Sequence, residues 1–345
     1  MYIIDQGATL HKSGERLIVQ KMGEVIQWVH AFKVEQIVLM GNIQISSPTI
    51  AFLLEKGIDT VFLSSRGKYR GRLISKFGKN IILRQLQFRQ LDKPDFCINL
   101  AKKYVKGKLH NYRILLRRHN YELQNSEITK SIHLIRQMAE KTDTVDNMDV
   151  VRGFEGKGSN AYFSAFKYLL KEPEMPFSTR NRRPPRDPVN ALLSFGYTLL
   201  ANTVQTVVNI VGLDPYLGSL HSIDYGRPSL VLDLMEEFRP VIVDAVVIKL
   251  INKRIITPQD FYIQQDVELP ENVEIENLEK EYYPVLLTHQ GTKKLITQYE
   301  KRLNEKIDYE PTGQNLSYRT VCLEQARLLV RHLKGEQEYV SYQQR

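Results

Sequence analysis

The segment GLDPYLGSLHSIDYGRPSLVLDLMEEFR, residues 212–239, joins a loop to a helix and brings an imidazole near acidic side chains. Glycines and prolines interrupt any regular pattern before His221, whereas apolar residues recur at helical spacing after Pro228. Asp233 and Glu236 lie three positions apart in that predicted helix, so their carboxylates share one face. The segment therefore predicts a histidine that a loop presents to an acidic helix.

Two carboxylates on a largely apolar helix repel each other and resist removal from water, and a cation relieves both effects. A metal ion held by the carboxylates and His221 is one interpretation of this segment. A solvated acidic face beside a surface histidine is the alternative, and this segment alone does not separate the two.

A second segment, DVVRGFEGKGSNAYFSAFKYLL at 149–170, supplies another carboxylate. Glu155 shares a helical stripe with Ser159, Tyr162 and Phe166, which places it in line with aromatic side chains that face inward. Three glycines surround Glu155, as expected where backbone, ligand or another helix comes close. Tight helix packing, with Glu155 reaching toward solvent, is the alternative interpretation.

The two segments together provide one imidazole and up to three carboxylates. Oxygen-rich sets of this kind suit a hard divalent ion such as Mg²⁺ or Mn²⁺. The predicted catalytic and metal-binding residues are Glu155, His221 and Glu236, with Asp233 as a second acid of the same helix.

Length and composition indicate an ordinary globular protein with unusual charge. The 345 residues allow two domains, and the net charge of +9 and pI of about 9.3 suit a polyanionic partner. Cys97 and Cys322 are too few for a disulfide framework or a cysteine-based zinc site. We expect a cytoplasmic protein without membrane contact, because no signal peptide is evident and no segment reaches the roughly 20 apolar residues needed to span a bilayer.

The spacing of short apolar runs predicts an α+β protein with two domains and a tail. Residues 1–85 read as a β-sandwich-like domain with one small helix, since short strands alternate with glycine-containing breaks. Residues 86–335 have helical periodicity almost throughout and predict a larger all-α catalytic domain. We expect residues 336–345 to form a mobile tail.

Two basic regions predict contacts with DNA phosphates. Residues 101–120 contain seven Lys or Arg and no Asp or Glu, which argues against ion pairs within that helix. The segment MPFSTRNRRPPRDPVN at 175–190 presents arginines on a proline-rich loop. A solvated helix and a charged linker are the alternatives. The predicted DNA-binding residues are Lys102, Lys106, Arg113, Arg117, Arg180, Arg182, Arg183 and Arg186.

Four blocks in this order carry a family resemblance: FEGKGSNAYF at 154–163, RRPPRDPVNALLSFGYTLL at 182–200, GLDPYLGSLHS at 212–222 and LDLMEEFRP at 232–240. The chain resembles the CRISPR-associated integrase and endonuclease family of the adaptation module, the Cas-one proteins. The opening DQGATLHKSGERLIV is also similar to that family. The resemblance implies that Glu155, His221 and Glu236 hold the metal, with Asp233 as the neighbouring acid. Some members have Asp where this chain has Glu236, which leaves the choice between Asp233 and Glu236 open.

The same resemblance implies a reaction and partners. The reaction would be strand transfer that inserts short double-stranded DNA fragments into a CRISPR repeat array. The partners would be a second copy of the chain, paired through the N-terminal domain, and a small Cas-two protein. Two other functions remain open: a structure-selective nuclease for branched repair intermediates, and a basic scaffold that binds nucleic acid without chemistry.

Overall fold

The structure, a computed structural model, describes residues 1–74, 80–181, 184–264 and 283–345. It divides into two compact units, Met1–Lys79 and Asn80–Arg345. The predicted α+β class is confirmed, because strands dominate the first unit and helices the second. The division falls earlier than the predicted boundary at 85, since Asn80 already caps the first helix of the second unit by accepting a hydrogen bond from the Leu83 amide.

The described residues of the first unit form two four-stranded sheets and one α-helix. Its elements are β1 Tyr2–Ile3, β2 Thr9–Ser13, β3 Arg16–Lys21, β4 Glu24–His30, β5 Gln36–Met40, β6 Gln44–Ile45, α1 Ser47–Lys56, β7 Asp59–Leu63 and β8 Tyr69–Leu73. One sheet has the strand order β1-β5-β7-β8 and the other β4-β3-β2-β6. Strands β2, β3 and β4 form the antiparallel meander that the short apolar runs predicted.

One buried apolar cluster joins both sheets and α1. Leu10 and Leu17 from the meander, Ile37 from β5 and Leu53 from α1 are all fully buried in it. Helix α1 ends at Gly57, whose φ of 66° lies in the left-handed region that glycine adopts without steric penalty. The first unit therefore has the layered architecture that the sequence predicted.

Helices make up most of the second unit. They are α2 Ile81–Leu91, α3 Pro94–Leu123, α4 Ser126–Thr142, α5 Met148–Phe166, α6 Pro188–Val211, α7 Ser229–Met235, α8 Ala245–Asn252, α9 His289–Asn304 and α10 Tyr318–Leu333. Side chains of Asn125, Asn147 and Asp187 accept hydrogen bonds from first-turn amides of α4, α5 and α6. These caps satisfy amides that have no partner within the helix.

The acidic helix α7 is shorter than its sequence pattern predicts. It ends at Met235, and a π-helical turn at Arg239–Asp244 leads into α8. Pro240 lies at the start of that turn, where its missing amide hydrogen interrupts regular helical bonding. Glu236 therefore lies in the turn after α7 rather than inside a helix.

The second unit is not entirely helical, so the expected all-α domain is wrong in this detail. Two antiparallel pairs occur, β9 Phe261–Ile263 with β10 Val285–Leu287 and β11 Lys306–Tyr309 with β12 Gln314–Ser317. These strands are only three or four residues long, too short for a reliable period-two pattern. Most of the loop or hairpin predicted at 264–284 lies outside the described residues.

Helix α6 is the central helix of this unit. Within the described part of the chain it is the one helix long and apolar enough to cross a membrane, contrary to the expectation that no such segment exists. However, 78% of its apolar window is buried inside the protein, as in the core helix of a soluble protein. Its apolarity is therefore explained by packing.

The C-terminal residues 336–345 are docked, which contradicts the expected mobile tail. Tyr339 is fully buried and Tyr342 is 7% exposed. The Tyr342 ring stacks on Phe238 with centroids 5.7 Å apart. The Tyr339 hydroxyl and the Tyr342 amide donate hydrogen bonds to the Glu237 carboxyl group, at 2.8 and 2.5 Å. The polar composition of the tail predicted mobility, whereas the buried side chains of Tyr339 and Tyr342 hold it against the second unit.

Replacement of Tyr339 by alanine tests whether the tail is docked in solution. We expect Tyr339→Ala to lower the free energy of unfolding by about 3 kcal/mol, because a buried ring is lost and a cavity remains. Urea unfolding followed by far-UV circular dichroism measures the change. The exposed Gln343→Ala in the same tail is the control and should change stability by no more than about 0.5 kcal/mol. Equal stability of the two variants would contradict docking.

Candidate active site

The loop before α7 wraps closely around one carboxylate. Asp233 is fully buried, and its Oδ2 accepts hydrogen bonds from the amides of Ser219 at 2.6 Å and Leu220 at 2.9 Å. A Cβ atom at Gly218 would lie 2.6 Å from the same oxygen, so only glycine permits this approach. Asp233 therefore stabilises the conformation of the loop, and the loop in turn sets the position of His221.

Asp233 orients the imidazole of His221. Its Oδ1 accepts a hydrogen bond from the His221 amide at 2.9 Å and lies 2.7 Å from Nδ1 of the ring. A carboxylate at Nδ1 favours a proton on that nitrogen and fixes the orientation of the ring, as in many carboxylate–histidine–metal arrangements. Asp233 was also predicted as a second acid of the metal site. The loop and the histidine contact both of its oxygens, and its role as a metal ligand stays a prediction.

Glu236 lies at the other nitrogen of the ring. Its Oε1 is 3.9 Å from His221 Nε2 and 3.2 Å from Arg239 Nε, and its Oε2 is 2.5 Å from Lys108 Nζ. Burial opposes the charged form, but Arg239 and Lys108 outweigh it and lower the pKa of Glu236 to about 2. Glu236 is therefore an anion at neutral pH, and Asp233 and Glu236 flank the imidazole as their spacing predicted.

Glu155 reaches the same point from α5. Its Oε1 accepts hydrogen bonds from Lys108 Nζ at 2.5 Å and from Ser159 Oγ at 2.8 Å. Burial again opposes ionisation, but the ammonium of Lys108 outweighs it and lowers the pKa of Glu155. The predicted helical stripe that carries Glu155 and Ser159 is present in the structure.

Lys108 of α3 joins the two glutamates. Lys108 is only 4% exposed. Its ammonium group contacts one carboxylate oxygen of Glu155 and one carboxylate oxygen of Glu236. Among the residues that the structure describes, no three His, Cys, Asp or Glu side chains are grouped closely enough to hold a metal ion by themselves. Glu155, Glu236 and His221 nevertheless converge, with Lys108 between the two carboxylates.

Of the three glycines around Glu155, one is required for packing. A Cβ atom at Gly158 would lie 2.4 Å from Leu109 Cδ2, so this glycine lets α5 approach α3 closely. Gly153 and Gly156 have open space at the corresponding position. Gly158 therefore lies at a close helix contact, whereas Gly153 and Gly156 leave open space near Glu155.

Lys108 and Arg239 complete the site but were not predicted as site residues. A signal for Lys108 exists, because it lies four residues from Tyr104 and four from Tyr112, on a buried stripe of α3. Arg239 follows Glu236 by three positions and precedes the apolar residues 240–243, and its guanidinium lies 4.7 Å from the Tyr197 ring centroid. The sequence positions of Lys108 and Arg239 indicate a role in the site only when the glutamates that pair with these two residues are known.

The lysines of α3 have acidic partners from other elements. Lys102 pairs with Asp146 at 2.8 Å, and Lys106 pairs with Asp143 at 2.7 Å. The argument that the charges of this helix lack compensation is therefore wrong, since the acids lie beyond it in sequence. The predicted DNA contacts of Lys102 and Lys106, and those of Arg113 and the exposed Arg117, stay predictions.

The arginine-rich loop is only partly described. Arg182 and Arg183 lie outside the described residues. Arg180 donates hydrogen bonds to Asn190 Oδ1 at 2.7 Å and Ser194 Oγ at 3.1 Å, which ties the loop to the start of α6. Arg186 is exposed. The phosphate contacts predicted for all four arginines stay predictions.

Comparison with known proteins identifies the family. Residues 1–301 match the family described as CRISPR associated protein Cas1. The chain belongs to the Cas1 family. It is 37% identical over 338 residues to the CRISPR-associated endonuclease Cas1 3 of Thermus thermophilus, an alignment that covers 97% of this chain and 94% of that relative. The resemblance inferred from the four sequence blocks is confirmed, and the chain is an enzyme of the Cas1 endonuclease and integrase family of CRISPR adaptation.

Two solved structures share the fold. A casposase bound to integration product superimposes with a TM-score of 0.82 at 22% identity, covering 97% of this chain and 90% of the casposase chain. A chain of a Cas6-RT-Cas1–Cas2 complex superimposes with a TM-score of 0.81 at 21% identity, covering all of this chain and 36% of that longer one. The fold of this chain thus recurs in both solved structures.

Glu237, the neighbour of Glu236, has the opposite environment. It is fully buried and accepts hydrogen bonds from Gln325 Nε2 at 3.0 Å and from the docked tail. Burial without a cation raises the pKa of Glu237 to about 8. At neutral pH this carboxyl group is therefore protonated, whereas the unfolded chain ionises it at about pH 4.

This raised pKa predicts a pH dependence of stability. Between about pH 4 and pH 8 the folded state keeps a proton that the unfolded state releases. The free energy of unfolding is therefore highest below about pH 4 and falls as pH rises toward 8. The slope is at most about 1.4 kcal/mol per pH unit. Glu237→Gln removes the titrating group, and its stability should fall less over that window. Urea unfolding at several pH values measures this. Glu122→Gln, at an exposed position of α3, is the control and should follow the wild type; a Glu237→Gln curve parallel to wild type would refute the assignment.

Proposed function

We propose that the chain joins DNA strands by a divalent-metal-dependent transesterification in which Glu155, His221 and Glu236 hold the ion. The supporting observation is the convergence of two ionised carboxylates from α5 and from the turn after α7 on one buried ammonium. The imidazole Nε2 of His221 lies beside one of those carboxylates, at 3.9 Å. Buried anions of this kind are compensated by a positive charge, which a divalent ion supplies as well as an ammonium does.

The residues present fit such an ion. Within the described part of the chain, Glu236 Oε2 is buried and has no hydrogen bond of regular geometry, only the ion-pair contact with Lys108. Two carboxylates and one imidazole form a donor set suited to Mg²⁺ or Mn²⁺. Asp233 supports this set by orienting His221 without competing for the metal.

A bound divalent ion would activate the attacking oxygen and stabilise the charge that develops on the phosphate. The residues of the chain prepare the site for this. Asp233 keeps the Nδ1 proton of His221 in place, and Arg239 and Lys108 keep Glu236 ionised. The attacking group would be a 3′-hydroxyl for strand transfer or water for cleavage. Strand transfer needs no energy cofactor, because one phosphodiester replaces another of similar energy.

The substrate and partners follow from the family. We propose that the chain inserts short double-stranded DNA fragments into a CRISPR repeat array in the cytoplasm. It would act as a homodimer with a Cas2 protein, and one solved neighbour is named as a complex with Cas2. The net charge of +9 suits DNA as a polyanion. The casposase neighbour, which was solved with an integration product, supports strand transfer over simple cleavage.

Strand-joining assays separate the candidate reactions. The purified protein receives short duplexes with free 3′-hydroxyl ends and a repeat-bearing plasmid, with and without its Cas2 partner, in EDTA and then in Mn²⁺. Joining that requires Mn²⁺ and the repeat supports the proposal. Cleavage of branched duplexes without joining would favour the repair-nuclease alternative. Binding with a steep salt dependence and no chemistry would favour the scaffold.

Glu155→Gln tests the proposed metal-binding carboxylate. We expect Mn²⁺-dependent joining to fall below detection, because the amide keeps the shape of the side chain but removes the charge that holds a cation. Gel assays of joined products measure the loss, and circular dichroism checks the fold. Glu140→Gln, in an exposed pair with Arg136, is the matched control and should join DNA as the wild type does. Joining by Glu155→Gln at the wild-type rate would remove Glu155 from the mechanism.

A further inference from the structure

The ammonium of Lys108 stands where the proposed ligands meet. Its Nζ atom is 2.5 Å from Glu155 Oε1 and 2.5 Å from Glu236 Oε2. These are carboxylate oxygens that a divalent ion would also need. An inference about Lys108 therefore rests on the proposed metal-dependent function and extends it.

The carboxylates are already neutralised without a metal. Glu155 and Glu236 carry two negative charges, and Lys108 and Arg239 place two positive charges against them. All except Glu155 are nearly fully buried, so solvent screens these charges weakly. A divalent ion added to this arrangement would face two resident cations at short range. One of the cations has to withdraw for the ion to bind tightly.

Lys108 is the cation able to withdraw. Arg239 is held by its contact with Glu236 and by the Tyr197 ring beneath its guanidinium. The ammonium of Lys108 also lies near a ring, 5.5 Å from the Tyr112 centroid, but it is a point charge on a flexible four-carbon stem, without the planar fork of donors that arginine has. The helix backbone behind it is closely packed, since a Cβ atom at Gly107 would lie 2.5 Å from the Ser341 side chain. Any adjustment therefore falls on the lysine side chain.

We propose that Lys108 is a tethered competitor of the divalent cation. Its ammonium holds the two carboxylates together in the absence of metal and leaves them when the ion binds. An ammonium that loses its counter-charges inside the protein needs a new anion, and a DNA phosphate at the same site supplies one. Metal and DNA then bind with positive cooperativity, so that tight metal binding requires the substrate.

Mn²⁺ affinity measured without catalysis tests this inference. Free Mn²⁺ is followed by electron paramagnetic resonance during titration of the wild type, Lys108→Met and Lys130→Met, each with and without a short duplex. Without DNA, Lys108→Met should bind Mn²⁺ at least about tenfold more tightly than wild type, because the competing charge is gone. Addition of the duplex should increase the Mn²⁺ affinity of the wild type and so reduce the difference in Mn²⁺ affinity between the wild type and Lys108→Met. Lys130→Met removes an exposed lysine paired with Glu127 and should match the wild type.

The outcomes separate this inference from the proposed function. Equal or weaker Mn²⁺ binding by Lys108→Met, with saturable binding by the wild type, overturns the competitor and keeps the metal site. No saturable binding by either protein overturns the metal site itself. If Lys108→Met folds only in Mn²⁺, that rescue supports competition, since the ion then replaces the missing charge. Failure to fold even in Mn²⁺, while the wild type binds it, counts against the inference.

Discussion

A single buried ammonium between two carboxylates is the interaction on which the site depends. Lys108 connects α3 to α5 through Glu155 and to the turn after α7 through Glu236. Without it, two anions from α5 and from the turn after α7 would face each other in a poorly solvated space, and removing one partner of a buried pair typically costs about 3–5 kcal/mol. The same contact therefore joins two helices and a turn that are distant in sequence.

The acidic residues of the segment 233–237 show how environment assigns different roles to similar groups. Asp233 receives amide hydrogens from the loop and becomes the support of His221. Glu236 meets Lys108 and Arg239 and is held as an anion, whereas Glu237 meets only neutral donors and keeps its proton. Two adjacent glutamates therefore have different protonation states at neutral pH, because one lies beside cations and the other does not.

Much of the fold could be read from the sequence, and so could the acidic residues and the histidine of the site, but not Lys108 or Arg239. Periodicity located the helices, and the spacing of Asp233 and Glu236 placed both beside His221. Local patterns could not reveal partners that are distant in sequence. The lysines of α3 looked uncompensated because their acids lie on other elements. The support that Asp233 gives to the loop was hidden because its amide donors belong to a loop without a pattern. The short strands β9 to β12 and the docked tail depend on tertiary contacts in the same way.

The docked tail joins parts of the second unit that are distant in sequence. The Asn111 side-chain amide of α3 donates hydrogen bonds to the backbone carbonyls of Tyr342 and Glu237, and Asn111 Oδ1 accepts one from the Gln344 amide. The tail also donates directly to the carboxyl group of Glu237, the residue next to Glu236. Loss of the tail contacts would leave these buried polar groups without partners, which is costly. A change in residues 339–344 would therefore act on the turn that carries Glu236 and not only on the surface of the protein.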